Sequence, residues 1–310
     1  MLANYATVSD TSFSALHGHV AAGFGASFGI LPAGLQFTFA IVFGLVIGSF
    51  LSVVAHRLPI MLERAWHDEV SGTTDQPPVD DGLPARYNLW LPRSACPHCG
   101  HVLRPWENIP VVSYVLLRGR CSACKAHVSI RYPLIEIASA ACAAGALSVF
   151  GPTTTALAAF GLCAALLATS AIDIDTHLLP DSLTLPLLWA GLIVNFNGMF
   201  ASLHSAVAGA IAGYLVLWVV HWVFKLVRGI EGMGYGDFKL LAALGAWLGW
   251  AALPQIVLIA AVTGAVVGLA ATWRGRMRFE EPLPFGPFLA AGGALTLFIG
   301  TPLYLALGGG

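Results

Sequence analysis

Eight long apolar runs constrain this chain more than any other feature. They fall at about residues 35–55, 133–150, 156–172, 183–200, 203–224, 238–253, 254–273 and 286–306. A helix needs ~20 apolar residues to cross a bilayer, and inside lipid only helices or closed barrels satisfy their own backbone polar groups. These runs are continuous, without the alternation a barrel strand needs. Only 10% of residues are charged and 57% are hydrophobic, against roughly 25% charged in an ordinary soluble domain. The expectation is an all-α polytopic membrane protein with about eight transmembrane helices.

The distribution of charge orients these helices. No Lys or Arg precedes Arg57, and nine of the fifteen lie between Arg57 and Arg131. The rest are Lys225, Arg228, Lys239, Arg274, Arg276 and Arg278. Eight spans starting outside put all three clusters on the cytoplasmic side, as the positive-inside rule requires. The sixth and seventh runs, separated by Pro254, have a re-entrant pair as their alternative. The expected organisation is an extracytoplasmic lead-in at 1–34, which lacks the basic start of a secretory signal. A first span at 35–55, a cytoplasmic insert at 56–131 and a multi-helix membrane domain at 132–310 follow. The formal net charge of −1 gives no ground for a nucleic-acid partner. The lipid bilayer is the expected surrounding, and nothing in the sequence sets an oligomeric state.

Within the insert stand two C-x2-C pairs, Cys96 with Cys99 and Cys121 with Cys124, separated by 21 residues. Four thiolates in two such pairs match a closed, tetrahedral structural zinc site. Disulfides are disfavoured in a reducing compartment, and no βαβ pattern surrounds a redox pair. Four protein ligands leave no open position for water, so the metal's expected role is to fold an insert without a core of its own. His98, His101 and His127 are nearby alternative ligands, each read first as a surface residue, and Cys142 and Cys163 read as small core residues.

Four acids flank membrane helices. Asp173, Asp175 and Asp181 lie in "AIDIDTHLLPD", and Asp237 lies in "GMGYGDFKL". Asp173 and Asp175 are two apart, about 200° on a helix, so one at most faces a shared interior, and Asp173 is the deeper. Asp175 reads as a solvated or supporting group, and Asp181, after Pro180, as an N-cap. Asp237 has an N-cap reading too, but Gly234 and Gly236 leave room for a peptide backbone beside it. Ala242, Gly245 and Gly249 permit tight helix contact. Two carboxyls brought together near low dielectric share a proton, which supplies both a base for water and an acid for the leaving group. That is peptide hydrolysis without a covalent intermediate, and no serine stands in a G-x-S-x-G context.

The chain resembles the type IV prepilin peptidases, within the GxGD group of membrane aspartyl proteases. The matching pieces are "GSFLSVVAHRLP", "CPHCG", "ENIPVVSYVLLRGRCSACK", "SIRYPLIE", "IDIDTHLLPDSLTLPLLWAGLIVN" and "GMGYGDFKLLAALGAWLGW". The resemblance implies Asp173 and Asp237 as the catalytic pair. It implies a prepilin or pseudopilin substrate, cleaved after the glycine that ends its leader, on the cytoplasmic side of the bacterial inner membrane. It also implies N-methylation of the new N-terminus from S-adenosylmethionine, and zinc on the four cysteines. Ser52 stands where the family usually has Asn, in a block associated with methyl transfer. Glu63 and Glu107 are candidates for that half, with a solvated loop acid as the alternative for each.

The rival from another class is an ion-coupled transporter or channel, since carboxylates within membranes commonly mark ion pathways. Such a pathway favours acids near mid-membrane, whereas these sit at one edge.

Overall fold

The computed structural model describes residues 29–73, 83–84, 86–229, 233–275 and 283–301. Most of the expected lead-in and a short part of the insert lie outside the described residues. Nine α-helices appear among them: α1 (Ala33–Thr73), α2 (Val112–Leu116), α3 (Arg131–Phe150), α4 (Thr154–Thr176), α5 (Asp181–Val194), α6 (Leu203–Arg228), α7 (Tyr235–Leu248), α8 (Leu253–Trp273) and α9 (Gly286–Ile299). No strand forms among the described residues beyond two isolated bridges in the cysteine region.

Each expected apolar run forms a helix, but their lengths differ. Five stretches are long and apolar enough to cross a membrane: 33–70, 131–150, 154–176, 203–228 and 250–273. Helices α5, α7 and α9 have 14 residues each, about 21 Å at 1.5 Å per residue, short of the ~30 Å hydrocarbon core. In contrast, α1 has 41 residues and continues through Pro59, reaching about 60 Å. The expected first span is therefore the outer part of a rod that carries on into the insert. Between the sixth and seventh runs the chain turns at Gly249 (φ 80°) and through a 3-10 turn, Trp250–Ala252. Pro254 sits in the first turn of α8, where its missing N–H costs nothing.

Small residues set the closest helix contacts. A Cβ on Gly44 would lie 2.6 Å from Cα of Ala140, and one on Gly48 would lie 2.6 Å from Cα of Glu136. The backbones of α1 and α3 thus meet along a seam that admits no side chain. Gly209 of α6 and Gly245 of α7 meet the same way, each one's missing Cβ directed at the other's carbonyl. Van der Waals packing, the main force between helices in lipid, is strongest at such close approach.

The two innermost helices are α4 and α7. Ala159, Leu162 and Ile172 of α4, and Phe238, Leu240, Leu241 and Leu244 of α7, have no solvent access. Short α7 packs chiefly on α6 and α5, and also meets α9. Its far end is fixed by buried Asn195, whose Nδ2 donates to the carbonyls of Ala246 (2.8 Å) and Trp247 (2.7 Å). The Oδ1 of Asn195 accepts from the amides of Phe200 and Ala201. One side chain so satisfies last-turn carbonyls that a helix end in lipid cannot leave bare.

Candidate active site and cysteine cluster

Asp173 lies in the last turn of α4 and is 4% exposed. The helix stops four residues later, where His177 adopts a left-handed conformation (φ 53°) and returns its N–H to the Asp173 carbonyl. The side-chain Oδ2 accepts a 3.0 Å hydrogen bond from the amide of Gly286, the first residue of α9. That amide belongs to the set a helix start leaves without an intrahelical partner, and it favours negative charge. A Cβ at Gly286 would stand 2.7 Å from Oδ2 of Asp173, so only glycine permits this contact undisturbed.

Asp237 lies in the first turn of α7, with Gly234 as the N-cap, and is 7% exposed. Its Oδ1 is buried with no hydrogen-bond partner. Asp173 acts on it electrostatically. Leu179 lies against both glycines of the site: a Cβ on Gly236 would come 2.6 Å from Cβ of Leu179, and one on Gly286 3.2 Å from its Cδ1. Three segments far apart in sequence, the end of α4 and the starts of α7 and α9, therefore converge on one small space that the glycines let them pack closely around.

The other two acids stand outside this space. Asp175 is paired with Arg131 at the start of α3, and both are more than two-fifths exposed. Asp181 is the first residue of α5 and Pro180 is the N-cap, which corrects the N-cap reading. The Asp181 carboxylate instead receives Lys239 Nζ at 2.6 and 2.7 Å. Pro180, fixed near the extended φ an N-cap uses, takes the position that a capping side chain would otherwise fill.

The four cysteines meet as their spacing predicts. Their Sγ atoms all lie within 4.8 Å of one another, with 3.8 Å between Cys96 and Cys124, and none forms a disulfide. Tetrahedral thiolates at ~2.3 Å from zinc stand about 3.8 Å apart, so the cluster has the dimensions of that site. The two pairs share one fold. In each, the first cysteine's carbonyl accepts from the residue four positions on, Gly100 (φ 69°) or Lys125 (φ 61°), and an antiparallel bridge closes the loop. The amides of His98 and Cys99 lower the Cys96 thiol to about 7. Those of Cys124 and Ala123 lower Cys121. Backbone donors directed at these two sulfurs favour the thiolate a metal takes, whereas at Cys99 the His101 amide is outweighed by burial and the neighbouring thiols, which push the thiol up to about 11. His101 is engaged elsewhere, 3.2 Å from Oε2 of Glu107.

Two domains of known proteins match this architecture. The bacterial peptidase A24 N-terminal domain matches residues 42–150, and the type IV leader peptidase family matches residues 160–269. The prepilin leader peptidase/N-methyltransferase of Burkholderia pseudomallei (strain K96243) is 73% identical over 289 residues, which is 93% of this chain and 94% of that one. The chain belongs to the type IV leader peptidase family. Proteins of the same name from Pseudomonas aeruginosa and Aeromonas hydrophila are 52% identical over 272 residues and 51% over 267. Those alignments cover 87% and 86% of this chain and 93% and 91% of the relatives. No solved structure matches the chain.

Other residues singled out in the sequence fall in different places. Glu107 is a brace inside the cysteine region: Oε2 accepts the Arg104 amide at 2.8 Å. The Arg104 amide, with the Ser122 hydroxyl and His101, lowers its carboxyl to about 2. Glu63 is exposed on α1. Ser52 is buried and returns its hydroxyl to the Gly48 carbonyl of its own helix at 3.2 Å. Gly286 and Leu179 were not singled out. The signal for Gly286 lay in "PFGP", a glycine held between Phe and Pro at the start of an apolar run.

Proposed function

We propose that the chain is a membrane aspartyl endopeptidase that cleaves the leader of prepilins and pseudopilins after glycine, and then N-methylates the new N-terminus. The observation that carries this reading is the burial of Asp173 and Asp237 together at the end of α4 and the start of α7, where Gly236 and Gly286 let Leu179 and the Asp173 carboxyl approach closely. Two carboxyls so placed share a proton. The ionised one takes a proton from water as it attacks the scissile carbonyl, and the protonated one donates to the carbonyl oxygen, giving a tetrahedral diol. Collapse of the diol passes a proton to the leaving amine and restores the pair. The Gly286 amide fixes Asp173 in the orientation this exchange needs. An ion pathway, the competing reading, offers no role for that amide.

The multi-pass chain is assigned to the bacterial inner membrane, with the insert and both acids facing the cytoplasm. The domain division at 1–34, 35–55, 56–131 and 132–310 stays part of this proposal, the second boundary falling within α1. Cys96, Cys99, Cys121 and Cys124 would hold one zinc, closed to water, whose chemistry is to cross-link the insert. S-adenosylmethionine, when bound, supplies the electrophilic methyl group. Two grooves, one along Val219, Val223 and Val227 and the other between Phe43, Leu147 and Phe160, are lined almost wholly by apolar side chains. Neither fits an adenosine or an amino-acid end, so no residue is assigned to that donor and no step is derived through it.

The test is incubation of detergent-purified protein with a prepilin and S-adenosylmethionine, followed by mass spectrometry of the new N-terminus. Cleavage after the leader glycine with a gain of one methyl is expected. An intact prepilin in the presence of folded protein would reject the assignment.

A further inference from the structure

Two contacts of the insert fall within the candidate spans, well inside their ends. The Val111 amide donates to Oε2 of Glu136 at 2.7 Å, and Glu136 sits five residues into the spanning helix α3. At 1.5 Å per residue that is about 7–8 Å inside its start. The distance from the opposite end agrees. Glu136 lies about 21 Å from Phe150, and its seam partner Gly48 about 22 Å from Ala33, both short of the ~30 Å core. Independently, Trp90 returns from the insert to stack on Phe50 of α1, with centroids 5.7 Å apart. The cysteine region is therefore anchored at interfacial depth on two spanning helices.

At that depth it presents an apolar face. Val112, Val115 and Leu116 occupy positions i, i+3 and i+4 of α2, one side of the helix, and are 49%, 65% and 77% exposed. Trp106 and Ile109 precede them at 60% and 45%, and Ile130 at 61% leads into the equally bare Leu134 and Ile137 of α3. Ile130 thus leads directly into the apolar, outward side of a spanning helix. Basic groups border it: Arg104 stacks on Trp106 at 5.4 Å, and Arg118 and Arg120 are exposed directly after α2. Aromatic rings and long basic side chains beside an apolar helix face are the composition of a membrane interface.

We propose that the four-cysteine region is seated in the headgroup layer of the bilayer through this face of α2, with Trp106 at the boundary and the neighbouring arginines on lipid phosphates. The occupant is lipid, because the region that carries the face is anchored at the depth of the spanning helices and basic side chains border it. The seating stands apart from the catalytic reading and holds whether or not the acids hydrolyse peptides.

The full chain, reconstituted in phosphatidylcholine/phosphatidylglycerol vesicles, tests this through the emission lost in Trp106→Phe. With bromine on acyl carbons near the glycerol, the Trp106 component is expected to lose most of its intensity, while aqueous iodide leaves it unchanged. Quenching by iodide with indifference to bromolipid would overturn the seating. Protection from both quenchers would overturn it as well, since the face would then be covered by protein, whether a second copy or a substrate segment. A photoreactive benzoylphenylalanine at the outward-facing Leu116 position gives a second readout that does not depend on the tryptophan variant folding. A lipid adduct after irradiation supports the proposal, and a protein adduct or none opposes it.

Discussion

The Gly286 amide reaches across 113 residues of sequence to Oδ2 of Asp173 at 3.0 Å. A helix start supplies the donor and a helix end supplies the carboxylate, so the catalytic candidate is held by the frame of the bundle. Asp237, facing the same space, has one carboxyl oxygen buried and unpaired. A buried acceptor left alone is costly, which suits a group whose partner is substrate or attacking water.

Asp173→Asn and Asp237→Asn are each expected to reduce prepilin cleavage on the order of 10³-fold or more, the scale of a lost general acid or base, while the protein stays folded in detergent. Cleavage assays on the purified variants, alongside gel filtration, check this. Full activity of either variant would end the two-acid reading.

Gly286→Ala should be nearly as damaging without touching an ionisable group. Its new methyl would stand 2.7 Å from Oδ2 of Asp173, and displacement of a reacting group by about 1 Å costs on the order of 10²-fold. The loss should appear mainly in kcat, which steady-state cleavage kinetics on a prepilin peptide measure. A variant with unchanged kcat would show that the Asp173 carboxyl is not held by this contact.

Asp181→Asn removes the pairing with Lys239, in which Asp181 is 56% exposed. Exposed pairs contribute about 1 kcal/mol or less, so thermal stability and cleavage should stay close to wild type. A collapse of cleavage in this variant would move Asp181 into the site.

Freshly purified protein should carry one zinc per chain, measured by elemental analysis, and Cys96→Ser should carry much less. Methyl transfer is expected to fail in that variant while most cleavage persists, because the acids lie on helices outside the cysteine region. Equal loss of both activities would tie the metal to hydrolysis.

Much of this was legible in the sequence, and the exceptions have physical reasons. Apolar runs located every helix but α2, and the C-x2-C spacing located the thiol cluster, because both signals are local. Lengths were less visible. Helix α1 continues past its apolar part through "MLERAWHDEV", whose residues form helix in water as well as in lipid. In α5, α7 and α9 part of the apolar run is spent on turns at Asn195, Gly249 and Gly300. Asp173 was separable from Asp175 by helical phase together with its place at the end of the apolar run. The Gly286 contact was not, since it depends on how α9 docks against α4, and the apolar face of α2 stayed hidden because five residues make too short a run to count as a membrane signal.

The glycine seam between α1 and α3 has a topological consequence. It clamps the two ends of the insert side by side within the membrane, so the chain between Arg57 and Arg131 is a closed ring before any metal binds. The entropy of bringing those ends together is met by helix packing, and zinc has only the interior of the ring to organise. Stripping the metal should then loosen a tethered loop and leave its mooring intact, confining the damage to one side of the protein.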